Sequence, residues 1–588
     1  NFKQLEMSFA ITPESNERKG AFMKRKWWHD KVAYQIYPKS FLDTNGDGIG
    51  DLRGIISKLD YLKELGIDII WLSPIYKSPF VDQGDDISDY YAIAQEFGTM
   101  EEFDELLAEA KKRGMYIVMD LVVNHCSDQH EWFKKALADP DGEYADYFYF
   151  VKGKDGREPS NYRSYFGGNA WEPVPGTDKY YLHMFAKEQP DLNWENPALR
   201  EEIYKMVNWW LDRGIAGFRI DAIINIKKDL TWEDLPVDGP DGRGFLTNSI
   251  TRMQKRDGGT KNGIGVFLRE LKERCFAPHD AFTVGEVFEV DREQLEEFIG
   301  EDGYFSTMFA FDPIQSYKKG TCQCEFDRNM NPDEWKRDVF VNQKLLGDIA
   351  FEANIIENHD MARGATIYIP DEDYGFASIS ALAGLQVLQR GMPFLYQGQE
   401  IGMTNCPFEL EDIDDIMTLD NYRYAVACGF PEEKAFAGCA RESRDNARTP
   451  MQWSDAENAG FTTGKPWLKV NPNYPEINVA RQEKEYGSVL NFYRRLLCFR
   501  KSEEYRDLLT YGTFEPMYED QERIFAFKRT LGKQCLTVIC NESSAERFLT
   551  LKEDYEEVVF VNLPQVTRIG DNLILHPYQL IVVETTKK

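Results

Sequence analysis

The sequence predicts an α/β fold, a (β/α)8 TIM barrel, because short apolar strands alternate with amphipathic helices over most of its length. Eight strand-like runs occur at residues 32–37, 67–72, 116–123, 217–220, 282–287, 308–311, 353–356 and 393–396. Between them, residues 101–113 and 199–213 carry apolar side chains at helical spacing, and Gly114 and Gly214 follow as C-terminal caps. Strands and helices in this order predict a closed parallel sheet, whose chemistry would lie at the C-terminal strand ends.

Interruptions of this alternation predict further domains. Residues 125–188 are rich in Tyr, Trp, Gly and Pro, and we interpret them as a loop-rich insertion after the third strand, here called domain B. A second insertion spans about residues 400–470, after the eighth strand. From residue 507 the apolar period becomes two, which predicts a C-terminal antiparallel β domain over residues 507–588. The barrel would then comprise residues 27–124 and 189–506, preceded by an N-terminal extension of residues 1–26.

Charge and cysteine content exclude several classes of partner and site. The 588 residues include 99 acidic and 69 basic side chains, and the net charge of -30 repels nucleic acid and anionic membranes. The ten cysteines contain no CxxC pair, and the lone pair Cys322 and Cys324 is too little for a zinc site. Residues 1–22 hold no apolar run of the length that a signal peptide needs. Scattered thiols of this kind predict a cytoplasmic protein, and the composition predicts no particular oligomeric state.

Charged side chains follow four of the predicted strands in apolar company. The segments are 120–125, 217–221, 285–287 and 358–360, with the sequences DLVVNH, GFRID, GEV and NHD. A single Asp after a strand is more often a helix cap or a surface residue. Four such segments, on the face where barrels carry out chemistry, instead indicate an active site.

Three of these segments supply carboxyl groups, those of Asp221, Glu286 and Asp360. Glycoside hydrolysis needs one carboxylate as nucleophile and one carboxylic acid that protonates the leaving oxygen. Arg219 lies two residues before Asp221 on the same face of the strand, where its charge favours an ionised carboxylate. Burial and neighbouring carboxylates would raise the pKa of Glu286, as a general acid requires. These residues therefore predict sugar chemistry by a pair of carboxyl groups.

The four segments resemble the signature regions of the α-amylase family of glycoside hydrolases. Residues 189–193, QPDLN, resemble a fifth region of its oligo-1,6-glucosidase and α-glucosidase subfamily, and residues 443–453, SRDNARTPMQW, are also similar to that subfamily. The subfamily also includes dextran glucosidases, trehalose-6-phosphate hydrolases and sucrose isomerases. The resemblance extends from about residue 27 to the end of the chain, and its motifs are specific in combination.

The resemblance implies a role for each matching residue. Asp221 would be the nucleophile, Glu286 the acid/base, and Asp360 the stabiliser of the transition state. The side chains implied to support the first sugar are those of His125, Arg219 and His359. The side chains implied to hold its far end and to block longer chains are those of Asp82 and Arg444. A pocket closed in this way predicts attack from the non-reducing end.

A loop after the first strand is similar to the start of an EF-hand, because side-chain oxygens recur at alternate positions. The bidentate Glu of a true EF-hand is absent, since Gly54 occupies its position. The subfamily resemblance implies a structural Ca2+, with Mg2+ as the alternative, remote from catalysis. Its oxygen ligands would come from Asp43, Asn45, Asp47, the Ile49 carbonyl and Asp51.

Two residues of the predicted pocket depart from the subfamily pattern. Asp85 replaces a Tyr that stacks on the first glucose, and the loss of the ring would cost about 1 kcal/mol or more in binding. Phe288 stands where many relatives have Pro, and its ring is a candidate for replacement apolar surface. We expect either that Asp85 points into the pocket and reads a polar feature of the substrate, or that it turns away and Phe288 takes over the packing.

The residue after the predicted nucleophile bears on linkage preference. In the subfamily, Val at this position accompanies α-1,6 preference and smaller residues accompany α-1,4 tolerance, so Ala222 predicts α-1,4 or mixed specificity. The Arg-rich loop of sucrose isomerases, Arg-Leu-Asp-Arg-Asp, does not occur in the sequence between residues 311 and 358. Its absence favours hydrolysis over isomerisation.

These motifs predict a retaining, exo-acting α-glucosidase that removes terminal α-linked glucose from short oligosaccharides through a covalent glucosyl-enzyme. One alternative is a sucrose isomerase or transglucosylase, which passes the same intermediate to a sugar. Another is a trehalose-6-phosphate hydrolase, which needs a cationic leaving-group side. A non-catalytic binding homologue is disfavoured because Asp221, Glu286 and Asp360 are all present.

Overall fold

Eight parallel strands form a closed barrel, as the sequence predicts. The computed structural model describes residues 23–245, 263–288, 290, 292–315, 325 and 328–586. The barrel strands are Ala33–Ile36, Ile69–Leu72, Tyr116–Val122, Gly217–Asp221, Phe282–Gly285, Thr307–Met308, Ala353–Asn354 and Met392–Tyr396. All of their pairings are parallel. A parallel bridge between Phe309 and Ala353 joins the end of the sixth strand to the seventh and closes the ring.

The N-terminal end of the barrel is covered by the first residues of the described chain. Residues 1–22 of the predicted extension lie outside the described residues, and so do Cys322 and Cys324. The rings of Trp27 and Trp28 pack 6.3 and 5.4 Å from that of Phe282, where the fifth strand begins. Among the residues that the structure describes, no helix is both long and apolar enough to cross a membrane.

Helices connect the strands, and their ends agree with the capping residues in the sequence. The α-helices lie at Leu52–Ser57, Leu59–Leu65, Met100–Lys112, Glu131–Ala138, Pro197–Arg213, Gly265–Leu271, Arg292–Ile299, Asp312–Gln315, Pro332–Leu346, Gly364–Tyr368, Phe376–Leu388, Ile416–Ala427, Glu432–Glu442, Asp445–Arg448, Val479–Lys484, Val489–Arg500 and Arg506–Tyr511. Thr99 forms a capping box with Glu102. Gly114 and Gly214 adopt the left-handed φ values of 69° and 116° that end a helix.

Shorter helical turns occur mainly in the loops. The 3-10 turns are Pro38–Ser40, Glu143–Tyr147, Ile223–Asn225, Ala277–His279, Asp371–Asp373, Gln399–Ile401, Leu410–Asp412 and Glu457–Gly460. A π-helical turn at Lys272–Phe276 continues the helix before the fifth barrel strand. The turn at Ile223–Asn225 begins two residues after the fourth strand ends, so it holds the backbone close to the predicted nucleophile.

Domain B lies beside the C-terminal ends of the third and fourth barrel strands. Its antiparallel sheet consists of Phe150–Lys152, Lys179–Leu182 and Trp171–Pro173. The short strand Tyr162–Arg163 pairs with Gly244–Phe245 from the loop that follows the fourth barrel strand. A hairpin of Tyr76–Lys77 and Asp89–Ile93 follows the second barrel strand. These connections hold the long loops at one end of the barrel.

The C-terminal residues form two antiparallel sheets, as the period of two predicts. The larger sheet contains Thr513–Met517, Ile524–Leu531, Gln534–Asn541, Leu580–Thr586 and Glu557–Val561. The smaller sheet contains Arg547–Thr550, Asn572–Leu575 and Thr567–Ile569. The runs 523–529 and 536–540, which alternate in the sequence, fall mostly within two paired central strands of the larger sheet.

Aromatic side chains fill the barrel interior beneath the site. The ring centroids of Trp71 and Phe309 are 5.6 Å apart, and those of Phe309 and Phe394 are 5.4 Å apart. The Arg219 guanidinium lies 5.2 Å from the centre of the Trp71 ring. The aromatic layer therefore packs against the buried charge of Arg219.

One buried arginine joins the C-terminal sheet to the barrel. Arg529 is fully buried and donates hydrogen bonds to the carbonyl oxygens of Thr513, Leu388, Leu509 and Gly512, at 2.9, 3.0, 2.9 and 3.0 Å. Leu388 is the last residue of a barrel helix, whereas Thr513 begins the first C-terminal strand. The guanidinium thus satisfies carbonyl groups of both parts of the molecule.

We predict that Arg529→Leu destabilises the protein because it removes the donor for three buried carbonyl oxygens and for that of Thr513. A buried carbonyl without a partner costs about 1–3 kcal/mol, and in a chain of this size the loss at three such groups should lower the midpoint of thermal unfolding by about 2–7 °C. The matched control is Arg337→Leu, because Arg337 is exposed. Equal shifts for the two variants in scanning calorimetry would contradict the joining role of Arg529.

Candidate active site

The predicted site residues converge at the C-terminal end of the barrel. Asp221 is the last residue of the fourth strand, Glu286 directly follows the fifth, and Asp360 lies in the loop after the seventh. His125 and Asp82 lie in the loops after the third and second strands. Residues from separate motifs therefore meet at one end of the barrel.

Arg219 contacts three carboxyl groups of the candidate site. Its side chain is fully buried, and its Nη1 donates to Asp120 Oδ1 at 2.9 Å and to Asp221 Oδ1 at 2.6 Å. Its Nη2 lies 3.1 Å from Glu286 Oε2. Trp71 completes the arrangement by donating from Nε1 to Asp120 Oδ2 at 3.0 Å. One cation thus holds carboxyl groups from three neighbouring strands.

Glu286 has the environment of a general acid. Burial raises the pKa of its carboxyl group and, although Arg219 opposes this effect, the charges of Asp221 and Asp360 raise the pKa further. The backbone N–H of Ala222 donates to Glu286 Oε2 at 2.8 Å. Ala222 reaches this position through a left-handed backbone, with φ of 43°. A carboxyl group that keeps its proton near neutral pH can protonate a leaving oxygen.

Asp360 is held in its ionised form. Burial alone would raise the pKa of this carboxyl group, but His359, Arg444 and Arg448 lower it far below its usual range. Arg448 Nη2 and Arg444 Nη1 lie 2.9 and 3.3 Å from Asp360 Oδ1. His359 Nε2 lies 3.2 Å from Asp360 Oδ2, and burial lowers the pKa of His359 to about 3. A neutral imidazole and an anion therefore lie side by side.

Arg444 pairs with carboxyl groups from separate loops of the site. Its Nη2 donates to Asp82 Oδ1 at 3.0 Å and to Asp415 Oδ1 at 2.7 Å. Gln189 Nε2 donates to the other oxygen of Asp82 at 3.2 Å. The Arg444 guanidinium also lies 5.2 Å from the centre of the Phe166 ring. Asp82 and Arg444, to which the resemblance assigns the far end of the first sugar, therefore contact each other, and that role stays a prediction.

Domain B contributes an aromatic wall near His125. The His125 ring lies 4.9 Å from that of Phe185, and its Nε2 lies 3.2 Å from Gln189 Nε2. Phe185 in turn packs against Phe166, at 5.5 Å between ring centroids. Burial lowers the pKa of His125, so the imidazole is neutral near neutral pH. The site therefore has an apolar side as well as a charged one.

A buried ion pair fixes three loops around this wall. Lys228 Nζ lies 2.8 Å from Asp191 Oδ2 and donates to Asn124 Oδ1 at 2.7 Å. Asp191 belongs to the segment 189–193, Asn124 follows the third strand, and Lys228 follows the fourth. Because all three side chains are buried, loss of one partner would leave a polar group or charge unsatisfied.

Several residues that the sequence analysis did not name contribute to the site. Arg448 and Gln189 lie within the motif runs 443–453 and 189–193, so a signal for them was present. Asp120 likewise opens the strand-end segment 120–125. Asp415 and Phe166 belong to the two insertions, where no periodic pattern predicts which side chain faces the barrel.

Asp85 is oriented toward the other carboxyl groups. Burial raises its pKa well above the usual range. Neighbouring carboxylates raise the pKa further, those of Asp82, Asp221 and Asp360. Phe288 stacks on Phe311, with ring centroids 4.7 Å apart. Asp85 is therefore buried close to the acidic residues of the site, and which of the two expectations describes its role toward the substrate stays a prediction.

The predicted metal loop is built from three successive side-chain turns. Asp43 Oδ1 accepts from the N–H of Asn45, Asn45 Oδ1 from that of Asp47, and Asp47 Oδ1 from that of Ile49, each at 2.9 Å. Asp51 caps the helix that follows. Within the described part of the chain, no three His, Cys, Asp or Glu side chains are grouped closely enough to hold a metal ion. By chemical type, the oxygen donors of the loop fit a hard cation.

Comparison with known proteins identifies the family. A sequence model described as "Alpha amylase, catalytic domain" matches residues 35–512. The chain belongs to the α-amylase family. It is 42% identical over 575 residues to an oligo-1,6-glucosidase from Bacillus cereus, across 95% of this chain and 99% of that protein.

Two further proteins are similar to this chain over nearly its whole length. A glucan 1,6-alpha-glucosidase from Streptococcus pneumoniae serotype 4 is 41% identical over 566 residues, across 96% of this chain and 100% of that protein. The crystal structure of trehalulose synthase MutB from Pseudomonas mesoacidophila MX-45 matches with a TM-score of 0.87 at 39% identity, across 95% of this chain and 100% of that chain. The predictions of a TIM barrel and of a glycoside hydrolase of this family are therefore confirmed.

For this α-amylase-family enzyme we predict that the alkaline limb of kcat/KM reports Glu286. Because its folded-state pKa is raised, Glu286 keeps its proton through neutral pH, and activity is lost as the pH rises through that pKa. Glu286→Gln should lower kcat/KM for maltose by about 10²–10⁴-fold. With α-glucosyl fluoride, whose leaving group needs no acid, the same variant should lose the alkaline limb. If the variant keeps the alkaline limb of kcat/KM, that limb reports the titration of a group other than Glu286.

Proposed function

We propose that the chain is a retaining, exo-acting α-glucosidase that hydrolyses terminal α-linked glucose from short oligosaccharides. The single observation that carries the proposal is the group around Arg219. There one buried cation contacts both Asp221 and Glu286, and the pKa of Glu286 is raised. An ionised nucleophile beside a protonated acid is the combination that double displacement at a sugar requires.

In the first step, an Asp221 oxygen attacks the anomeric carbon while Glu286 gives its proton to the glycosidic oxygen. The aglycone leaves as an alcohol, and a glucosyl ester of Asp221 remains. In the second step, Glu286, now a carboxylate, takes a proton from water as that water attacks the same carbon. Asp221 is released, Glu286 regains its proton, and two inversions leave the α configuration unchanged. Ionised Asp360 and neutral His359 would bind hydroxyl groups of the sugar more tightly in the transition state.

The exo-acting part of the proposal is supported by the closed end of the site. Arg444 binds both Asp82 and Asp415, and Asp82 also accepts from Gln189. These groups come from three different loops, and together they would block a longer chain beyond the first sugar. A terminal glucose would instead satisfy the polar groups that face it.

Two features bear on linkage and reaction outcome. The relatives named oligo-1,6-glucosidase and glucan 1,6-alpha-glucosidase support cleavage of α-1,6 bonds. Ala222 remains the basis for predicting α-1,4 or mixed specificity. A second candidate function, sucrose isomerisation, is favoured by the likeness to trehalulose synthase. Hydrolysis ranks first because the Arg-rich isomerase loop is missing from the sequence.

A substrate panel and azide rescue test the proposed function. Wild type should release glucose from maltose or isomaltose, and NMR should detect α-glucose first. Formation mainly of trehalulose or isomaltulose from sucrose would favour isomerisation, and release of glucose only from trehalose 6-phosphate would favour that hydrolase. With an activated α-glucoside and azide, Asp221→Ala should give the β-azide after one inversion. Glu286→Ala should give the α-azide after two. Reversed products would exchange the two assignments.

We also propose that the loop 43–51 binds a structural Ca2+, or Mg2+ as the alternative. Its oxygen donors and its three side-chain turns support this proposal. Asp43, Asn45, Asp47 and Asp51 would hold the cation, together with the Ile49 carbonyl. The cation would stabilise the loop, and the proposed catalytic steps do not pass through it.

Chelation tests the cation proposal. Removal of Ca2+ with EGTA, and of Mg2+ with EDTA, should lower the midpoint of thermal unfolding, and adding back the matching ion should restore it. The Asp47→Ala variant should show no response to chelator. An identical response of wild type and this variant, or no response of either, would contradict the site.

We further propose a cytoplasmic location and a small oligosaccharide as the ligand. The buried thiols of Cys126, Cys275 and Cys540 support a reducing compartment. The net charge of -30 disfavours nucleic acid and anionic membranes as partners. Fractionation of the source cells tests the location. We expect the enzyme activity in the cytoplasmic fraction, and activity in the culture medium would contradict the proposal.

A further inference from the structure

The carboxyl groups of the site are divided between buried arginines. Arg219 contacts the carboxyl groups of Asp120, Asp221 and Glu286. Arg444 contacts those of Asp82, Asp360 and Asp415, and Arg448 adds a second contact to Asp360. Each of these six carboxyl groups therefore has a positive partner.

Asp85 is different from the other six. Its Oδ1 is buried, and across the described residues it has no hydrogen-bond partner. The Tyr37 hydroxyl is also buried without a partner, and Tyr37 is 4% exposed. Burial raises the pKa of Tyr37 and Arg448 opposes this effect, while Tyr396 and then Asp85 raise the pKa further. The Tyr37 ring lies 6.2 Å from that of His359, which in turn contacts Asp360, so this second unsatisfied polar group belongs to the residues around the site.

The backbone holds Asp85 in this orientation. Asp86 accepts hydrogen bonds from the N–H groups of Val81 and Asp82, at 2.8 and 3.0 Å. The N–H of Asp85 donates to the carbonyl of Asp82 at 3.1 Å. Gly84 adopts φ of 117°, which a residue with a side chain rarely does. Hydrogen bonds therefore fix the backbone of the loop on both sides of Asp85.

The surroundings of Asp85 favour a positively charged ligand. Burial raises the pKa of Asp85, and Asp82, Asp221 and Asp360 raise it further, so without ligand a negative charge on Asp85 is disfavoured. An ammonium group would reverse this effect, since a nearby positive charge favours the ionised carboxylate. It also carries three donors, enough for both Asp85 and the Tyr37 hydroxyl, whereas a sugar hydroxyl carries one.

We propose that Asp85 makes the pocket selective for a glucosyl unit that bears a protonated amino group. The glucosyl part of this inference rests on the proposed function, and the amino part rests on Asp85 and Tyr37. Asp85 is then a specificity-determining residue, which binds the sugar and takes no part in breaking the bond.

The test compares 4-nitrophenyl α-glucoside with its 3-amino, 4-amino and 6-amino deoxy analogues. The quantity measured is the kcat/KM of each amino analogue divided by that of the parent glucoside. Inductive effects of the amino group are the same in every variant, so they cancel when variants are compared. Asp85→Asn should lower this ratio at least fivefold for one or more analogues, because it keeps the shape and removes the charge. Asp85→Ser should do the same.

The matched control is Asp455→Asn, a change of the same kind at an exposed position, which should leave the ratios as in wild type. Ratios that change less than fivefold for all three analogues in both Asp85 variants would overturn the proposal. That result would be expected if Asp85 acted as a neutral acid that reads a hydroxyl group.

A binding measurement separates this inference from the proposed function. Free 3-, 4- and 6-amino-deoxyglucose are compared with glucose for their effect on the midpoint of thermal unfolding. At least one should stabilise wild type more than glucose does, and Asp85→Asn should remove that difference. This readout needs no turnover, so an enzyme inactive on every glucoside would refute the α-glucosidase proposal alone. Hydrolysis of the parent glucoside without any preference for the amino sugars would refute the Asp85 proposal alone.

Discussion

The burial of Arg219 inside the barrel is the constraint on which the site depends. Removing a guanidinium from water costs several kcal/mol, and only close negative partners offset that cost. Asp120, Asp221 and Glu286 supply those partners from three adjacent strands. The strands must therefore keep their register for the charge to be satisfied, which links the integrity of the barrel to the position of the reacting groups.

The balance between burial and positive neighbours also sets the pKa of each acidic residue in the site. Glu286 shares one guanidinium with two other carboxyl groups, so burial dominates and its pKa is raised. Asp360 has His359 beside one oxygen and two guanidinium groups within 3.3 Å of the other, so its pKa is lowered despite the same burial. Similar carboxyl groups in one pocket thus differ in charge because the number of their positive partners differs. Among the described residues Asp85 has no such partner, so the charge of a bound ligand would have the largest effect on its ionisation.

The two insertions add side chains to the site that the barrel strands do not provide. Domain B brings Phe166 and Phe185 to the side of His125, and the insertion after the eighth strand brings Asp415 and Arg444 to the far end. Barrels of this class vary their chemistry through such loops while the strand ends keep the reacting groups in place. That division explains how two proteins that are each about 40% identical to this chain can carry names as different as oligo-1,6-glucosidase and trehalulose synthase.

The sequence by itself determined the barrel, its strand-end motifs and the caps Gly114 and Gly214, because periodicity and capping are properties of neighbouring residues. It also indicated the main catalytic candidates, since each follows a strand and the C-terminal strand ends of a closed barrel must meet. The tertiary structure decided which charges pair. Arg444 and Asp82 are 362 residues apart in the chain, and whether they touch depends on how two loops pack. The orientation of Asp85 was decided in the same way, because the free energy of a buried charge depends on all of its neighbours in space and not on those beside it in sequence.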